Sequence, residues 1–215
     1  MRAYIAEFIG TFTLVLVGVG AVATGQGLLV GAFSHGLVVA GLIYTYAHIC
    51  GAHFNPAVTL ALLVARRIDL SKAAGYWLVQ FAGAILASLL IQFFIGAQVA
   101  DGQTIGTLTR TDVWRAALFE AVQVFLLVSA IFHAGVYGKA GSHAGLAIGF
   151  TLAALILMGG VYTGASINPA RTLGPALVAG DLSYVLPYFV GLFGGGALAG
   201  WVHGYLFTDE SKGQS

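Results

Sequence analysis

Two copies of the tripeptide Asn-Pro-Ala are the residues whose type and position first suggest chemistry. The six residues are Asn55, Pro56 and Ala57 in the first copy and Asn168, Pro169 and Ala170 in the second. Asn is a favoured N-cap and Pro a favoured first helical residue, so each copy predicts a helix start. Capping uses the Asn side-chain oxygen, which leaves the NH₂ group as a donor. Two helix N-termini directed at one point attract polar groups and repel cations.

The two motifs belong to a repeat with a constant offset of 113 residues. Other pairs at this offset are Glu7 with Glu120, Gly36 with Gly149, and Gly83 with Gly196. Around the motifs, residues 51–59 and 164–172 share six of nine positions without a gap. The chain is therefore predicted to contain two related halves.

Composition excludes a soluble protein. Charged residues are 8% of the 215 and hydrophobic residues 59%, whereas roughly a quarter of the residues in soluble domains are charged. The net charge of +1 offers no basic surface for nucleic acid. One cysteine, Cys50, excludes an internal disulfide and a cysteine-based zinc site. The outside of the molecule is predicted to face lipid.

Six segments are apolar for about 20 residues, the length that spans a bilayer. They run near residues 3–23, 28–49, 73–97, 113–132, 144–162 and 182–207. Each Asn-Pro pair is followed by an apolar segment of about ten residues, which is too short to cross. The predicted fold is an all-α membrane protein with six transmembrane helices and two re-entrant half-helices. It forms a single membrane domain over residues 1–215, with repeats at about 1–97 and 113–208 joined by a loop at about 98–112.

The two halves are predicted to have opposite orientations, because each contains three spans and three is odd. Inverted repeats place their site at the repeat interface near the membrane midplane. With six spans, one side carries Arg2, Arg66, Arg67, Lys72, Lys139 and Lys212, and the other carries Arg110 and Arg115. The basic side is predicted to be cytoplasmic, with both termini there. Without a retention or lipidation signal, the plasma membrane is the expected location.

Non-helical backbone at membrane depth is tolerated only inside protein or beside a water-filled cavity. The segments before the two Asn residues are therefore predicted to line a narrow aqueous path. Their candidate pore-lining residues are Gly51, Ala52, His53, Gly164 and Ser166. His48, just before the first segment, is the candidate for the cytoplasmic part of that path.

With Glu7 and Glu120 in the first and fourth spans, the paired motifs resemble the aquaporin, or major intrinsic protein, family. The resemblance covers nearly the whole chain. It implies a passive channel with one pore per subunit, four identical subunits and no cofactor. Water is the expected passenger, with ions and protons excluded. Such selectivity rests on pore width, lining hydrogen-bond groups, an Arg and the half-helix dipoles.

The resemblance also implies a selectivity filter made of His35, Ile156, Ala165 and Arg171. This set is closest to the plant tonoplast subgroup, whose members often admit ammonia, urea or hydrogen peroxide. His35 is expected to supply a donor, while Ile156 makes one wall apolar. No histidine stands in the loop between spans three and four, which weakens the ammonia inference. Thr172 after Arg171, Ala176 and the pair Tyr188-Phe189 favour the water branch over glycerol conduction.

Several residues allow more than one interpretation. Buried carboxylates mark proton relays in transporters, so a proton-coupled transporter using Glu7 and Glu120 is the alternative function. We favour a structural role, in which both accept N–H groups from the re-entrant loops. Arg171 could instead reach the outer interface, although an Arg in an apolar segment is functional by default. His48 and His53 are five residues apart without a neighbouring acid, so no metal site is predicted there. No enzymatic motif is present, and an enzyme is not expected.

Overall fold

The computed structural model describes residues 1–207, and the polar tail that begins at Asp209 lies outside them. The described chain is helical and contains no strand. Six helices are long and apolar enough to span a membrane. Their α-helical parts are α1 Arg2–Ala23, α2 Leu28–Cys50, α4 Leu70–Ile95, α6 Val113–Ala130, α7 Ala144–Thr163 and α9 Val185–Trp201, and the last four spans also include adjoining 3₁₀ or π-helical turns. The predicted all-α fold with six spans is confirmed.

Two further helices begin at the Asn-Pro pairs, α3 Pro56–Val64 and α8 Pro169–Ala179. Asn55 is the N-cap of α3, and its side chain accepts the Ala57 N–H at 2.9 Å. Asn168 caps α8 in the same way through the Ala170 N–H, also at 2.9 Å. At nine and eleven residues these helices are too short to cross a bilayer.

The halves pack across one another. Within each half the first and third spans are in contact, α1 with α4 and α6 with α9. The second spans, α2 and α7, meet at the centre. Each half-helix packs against the last span of the other half, α3 on α9 and α8 on α4. Neither half is therefore complete without the other.

Glycine permits the central crossing of α2 and α7. A Cβ added at Gly36 would lie 2.8 Å from the Ala153 Cβ and would also meet the Gly149 carbonyl. A Cβ at Gly149 would in turn meet the Gly36 carbonyl and lie 2.8 Å from the Ala40 Cβ. Small residues let helix backbones approach closely where lipid removes the hydrophobic driving force. This repeat pair marks the two-fold contact between the halves.

The connection predicted as a loop at about 98–112 is partly helical. A 3₁₀ helix, Gly96–Gly102, continues from α4, and the short helix α5 covers Thr107–Thr111. The 3₁₀ helix packs on α1, α4 and α8. Gly106 lies against the backbone of α7, where a Cβ would stand 2.5 Å from the Thr163 nitrogen. This packing on spans of both halves provides the contacts that order the segment.

Two spans end in π-helical turns, α6 in Ile131–Val136 and α9 in Val202–Leu206. The remaining 3₁₀ turn, Gly141–His143, precedes α7. Large apolar side chains cover the outside of the spans, among them Leu78, Phe93, Phe94, Leu118 and Leu186, each at least two-thirds exposed. The interior instead contains fully buried polar groups. This is expected of a membrane protein, because lipid cannot form hydrogen bonds with polar groups on the outside.

Candidate functional site

The N-termini of α3 and α8 meet at the centre of the molecule. The Asn55 Nδ2 group donates to the Ile167 carbonyl at 2.8 Å, and the Asn168 Nδ2 group donates to the Phe54 carbonyl at 2.9 Å. One N–H of each amide is thus used to join the two re-entrant segments. The prediction that the whole NH₂ group is free is wrong for that N–H. Each amide retains a second N–H for another acceptor.

The segments before the two Asn residues have an unusual backbone. Ala52, Phe54, Ala165 and Ile167 have positive φ angles of 54°, 49°, 42° and 58°. Such angles are uncommon for residues other than glycine and persist where the surroundings fix them. In each segment, residues with left-handed backbone angles alternate with residues that have ordinary angles. This alternation directs neighbouring N–H groups to one side of the segment and carbonyl groups to the other.

The carboxylates of Glu7 and Glu120 accept backbone N–H groups of these two segments. The two oxygens of Glu7 accept the N–H groups of His53 at 2.9 Å and Phe54 at 2.7 Å. The two oxygens of Glu120 accept those of Ser166 at 2.8 Å and Ile167 at 2.7 Å. Both side chains are fully buried. Every carboxylate oxygen is engaged by the scaffold, so this geometry gives no support to the proton-carrier alternative.

A cavity of about 560 Å³ lies on the side of the two Asn residues that is predicted to be cytoplasmic, and we call it the inner cavity. Predicted residues that line it are His48, Gly51, Ala52, His53, Asn55, Ser166 and Asn168. His53 is itself fixed, because its Nδ1 lies 3.0 Å from the Thr59 hydroxyl. Arg67 and Lys72 also line this cavity, which places two positive charges in its lining.

A second cavity of about 300 Å³, which we call the outer cavity, lies on the opposite side of the junction. All four residues of the predicted filter line it: His35, Ile156, Ala165 and Arg171. Gly164 lines it as well. His35 and Arg171 also line the inner cavity. These two side chains therefore stand between the cavities. Pro56, Ala57, Pro169 and Ala170 line neither cavity and instead begin the half-helices.

The orientation of His35 differs from the sequence expectation. Its Nδ1 lies 2.9 Å from the Gly31 carbonyl, and a carbonyl oxygen can only accept. Nδ1 therefore carries the proton in the neutral ring, and Nε2 is an acceptor with no partner. The ring lies against Gly18 of α1, where an added Cβ would stand 2.5 Å from the His35 Cδ2. The expected donor is therefore directed along its own helix, and the Nε2 acceptor is buried against Gly18 of α1.

Arg171 lies in the first turn of α8 and is 2% exposed. Its backbone N–H donates to the Asn168 side chain at 3.3 Å. Its Nε and Nη1 atoms have no hydrogen-bond partner. Three of the five buried side-chain polar atoms without a partner in the described chain therefore belong to Arg171 and His35. Buried polar groups are nearly always satisfied, so these two residues are unusual within the described chain.

Sequence reasoning missed the contribution of the connecting segment. Gln103 lines the outer cavity, and the Tyr184 hydroxyl donates to its side-chain oxygen at 3.4 Å. Thr104 packs on Gly164, with its Cα 2.6 Å from the position of an added Cβ. Neither residue belongs to a motif or a span, and the sequence carries no signal that would place them here.

Within residues 1–207 no group of three or more His, Cys, Asp or Glu side chains is arranged to hold a metal ion. Cys50 is buried with a free thiol. Its sulfur accepts the Ala52 N–H at 3.3 Å and donates to the Tyr46 carbonyl at 3.5 Å. The cysteine thus supports the first re-entrant segment.

Six spans, two half-helices joined at their N-termini and a cavity on each side of that junction define a polytopic membrane channel. The major intrinsic protein family model matches residues 1–203. The chain belongs to the major intrinsic protein family, whose members are channels for water or small solutes and are not enzymes.

Individual relatives agree with this family. The chain is similar to "Aquaporin TIP1-1" of Zea mays, with 36% identity over 100% of this chain and 90% of the relative. It is similar to "Glycerol uptake facilitator protein-like 6" of Lactiplantibacillus plantarum, with 40% identity over 88% and 91% of the two chains. The X-ray structure of the aquaglyceroporin from Plasmodium falciparum has the same fold, with a TM-score of 0.78, 21% identity and 96% of each chain covered.

Proposed function

We propose that this protein conducts water passively and excludes ions and protons. The observation that supports this most strongly is that two polar side chains, His35 and Arg171, line both cavities and thus stand where the cavities meet. A water molecule both donates and accepts hydrogen bonds, so it suits a narrow junction that is lined by polar side chains. Water is the simplest molecule that could pass between the two cavities.

Exclusion of cations follows from the charges at the junction. The buried Arg171 and the two half-helix N-termini are all positive toward the path. The second N–H of Asn55 and of Asn168 offers a donor to the oxygen of a passing water molecule. A water held by both donors has its oxygen fixed, which disfavours the continuous chain of aligned waters that carries protons.

The filter is proposed to discriminate among neutral solutes. Ile156 makes one wall apolar, while His35 and Arg171 provide polar groups on others. Urea, ammonia and hydrogen peroxide are secondary candidate solutes because they are small and uncharged. The bacterial relative named for glycerol uptake adds glycerol as a candidate. Thr172 after Arg171, Ala176 and Tyr188-Phe189 instead favour water over glycerol.

The test is osmotic shrinkage of proteoliposomes in a stopped-flow instrument. Wild-type protein is expected to give fast shrinkage with a low activation energy. Arg171→Ala is expected to retain water flux and to admit larger or charged solutes, because it removes the buried charge. His35→Phe is expected to reduce flux because it fills the space between the cavities. Shrinkage no faster than that of empty liposomes, from folded protein, would contradict the proposal.

The same vesicles can be used to measure the permeability to each candidate solute. Urea, ammonia, hydrogen peroxide and glycerol are each applied as inward gradients to wild type and Ile156→His. A polar wall is expected to lower ammonia and urea flux relative to water. Flux that saturates and follows a proton gradient would favour the proton-coupled transporter and contradict the channel.

The membrane arrangement is part of the proposal. The protein is a multi-pass membrane protein, and we place Arg66, Arg67, Lys72 and both termini on the cytoplasmic side. A homotetramer with a pore in each subunit is proposed from the family. The plasma membrane stays a sequence prediction, without support from the comparisons.

A further inference from the structure

A pair of histidines that line neither cavity lies at the ends of α6 and α9 that are predicted to be cytoplasmic. His133 and His203 each stand in one of the π-helical turns. The His133 Nε2 atom lies 3.3 Å from the His203 Nδ1 atom. The ring planes are perpendicular, at 89°, with centroids 5.2 Å apart. The two nitrogens face each other across the contact between α6 and α9.

Hydrogen bonding fixes which nitrogen of His203 carries the proton. The Ser129 hydroxyl donates to the Phe125 carbonyl at 2.8 Å. Its only hydrogen is thus used, so at 2.7 Å from the His203 Nε2 atom the hydroxyl oxygen must accept. Nε2 therefore carries the hydrogen, and Nδ1 of the neutral ring presents a lone pair to His133.

The two histidines differ in burial and in how tightly their rings are packed. His203 is 5% exposed and packs against the rings of Phe125, Phe132 and Phe207. Its carbonyl also accepts the Tyr137 hydroxyl. His133 is exposed. One imidazole is therefore held rigidly with its lone pair directed outward, and the other is accessible from the surface.

We propose that His133 Nε2 and His203 Nδ1 together bind one divalent transition-metal ion of the Zn²⁺ or Cu²⁺ class. Two nitrogens 3.3 Å apart, each about 2.0–2.1 Å from zinc, subtend an angle of about 105°, close to tetrahedral. The bond from His203 Nε2 to Ser129 is the outer contact that orients metal-binding histidines. Water completes the coordination. Without the ion, the His133 Nε2–H donates to the lone pair of His203 Nδ1. Metal binding replaces this hydrogen bond, and His133 changes to its Nδ1–H tautomer, so the neutral pair releases no net proton.

The charged residues near the histidine pair affect which metal ions it can bind. The cations near it are Arg67, which lies 5.9 Å from the ring of Tyr137, and Lys139, whose backbone N–H donates to the His133 carbonyl at 3.0 Å. Two neutral nitrogen ligands beside positive side chains favour ions that bind imidazole strongly over Mg²⁺ or Ca²⁺. The ion would join α6 to α9 and would not touch the path between the cavities.

The test uses the full-length protein in detergent, carrying no polyhistidine tag and stripped with a chelator. Zn²⁺ titration by calorimetry is expected to show one saturable site per subunit. His133→Ala is expected to lose it, and because this side chain is exposed the variant is expected to fold. His143→Ala, which removes another exposed histidine near the same end of the spans, is the matched control and is expected to keep the site. Ser129→Ala is expected to weaken binding about 10–100-fold.

Electron paramagnetic resonance with Cu²⁺ alone gives a second readout. Superhyperfine coupling to two imidazole nitrogens is expected in wild type and to one or none in His133→Ala. Absence of saturable Zn²⁺ binding in wild type, or equal binding in His133→Ala, would overturn the assignment. Water flux in metal-free buffer is expected to be the same in wild type and His133→Ala, so this test is independent of the proposed channel function.

Discussion

At the scale of single residues, His35 and Arg171 carry the most information. Both are buried, both line the two cavities, and both retain polar atoms without a protein partner. Their types follow from the sequence, but the unused atoms follow from their orientation. Arg171 is held by the first turn of α8, and His35 is held by a carbonyl of its own helix. The site therefore depends on how each side chain is turned as well as on which side chain is present.

Gly18→Ala tests the position of the His35 ring. The added methyl group would lie 2.5–2.6 Å from carbon atoms of the ring, so the ring must move toward the path. We expect lower water permeability together with a loss of stability of about 1–3 kcal/mol, the usual cost of overpacking. Stopped-flow shrinkage and thermal unfolding in detergent measure the two effects.

Gly20→Ala in the same helix is the matched control, because nothing lies within 4 Å of its added Cβ. It is expected to leave both permeability and unfolding unchanged. Equal permeability of Gly18→Ala and Gly20→Ala would show that the ring does not limit flow.

At the scale of elements, the re-entrant half-helices depend on both local and distant contacts. Their N-caps are local, but their positions depend on Glu7, Glu120 and the last spans of the opposite halves. A carboxylate that accepts two backbone N–H groups fixes a segment whose backbone is otherwise strained. The same contact, repeated with the same spacing in both halves, indicates a shared scaffold for the two segments.

Glu7→Gln tests that scaffold. One carboxylate oxygen becomes an NH₂ group, which cannot accept, so either the His53 or the Phe54 N–H loses its partner. Leaving a buried donor unsatisfied costs about 1–3 kcal/mol. We expect a lower unfolding temperature in detergent and reduced water flux. Asp101→Asn, which changes an exposed carboxylate, is the control and is expected to match wild type. A stable variant that loses only proton-dependent flux would point to the transporter instead.

Gly196→Val tests the docking of α3 on α9. An added Cβ would lie 2.7 Å from the Ala57 carbonyl, in the first turn of α3. The helices must separate, which moves Asn55 away from the Ile167 carbonyl. We expect loss of water flux and of folded yield. Gly194→Val, on the same helix with open space around its Cβ, is expected to retain both. Similar behaviour of the two variants would contradict the docking argument.

At the scale of the whole molecule, the two halves form one pore-like arrangement because they interlock. The half-helix of each half packs on the last span of the other, and the second spans cross through Gly36 and Gly149. The bonds from Asn55 and Asn168 then join the halves at the centre. Opposite orientation of the halves is what brings two like-charged helix ends to one point.

Oligomeric state is the prediction that belongs to this scale. Apolar side chains cover the outside of a single subunit, and the family resemblance implies four subunits. Native mass spectrometry from detergent is expected to give a mass of four 22.2 kDa chains. With a pore in each subunit, tetramers that mix wild type and His35→Phe should show flux proportional to the wild-type share. A monomeric mass with full water flux would contradict the tetramer.

The sequence by itself determined the membrane class, the six spans, the two helix starts and the repeat. These properties depend on local rules, namely the length of apolar segments, N-cap preference and a constant spacing. It also supplied the candidate residues of the site, whose roles stay proposals until transport is measured.

Only the tertiary structure decided which atoms of distant residues form hydrogen bonds and contacts. The Asn55 bond to Ile167 joins residues 112 apart, and the His133 contact with His203 joins residues 70 apart. Gln103 reaches the outer cavity because its segment packs against spans of both halves. The direction of the His35 donor, the use of one N–H of each Asn and the histidine pair depend on such distant contacts. A local pattern specifies a helix and its cap, but the packing of helices brings distant side chains within hydrogen-bond distance.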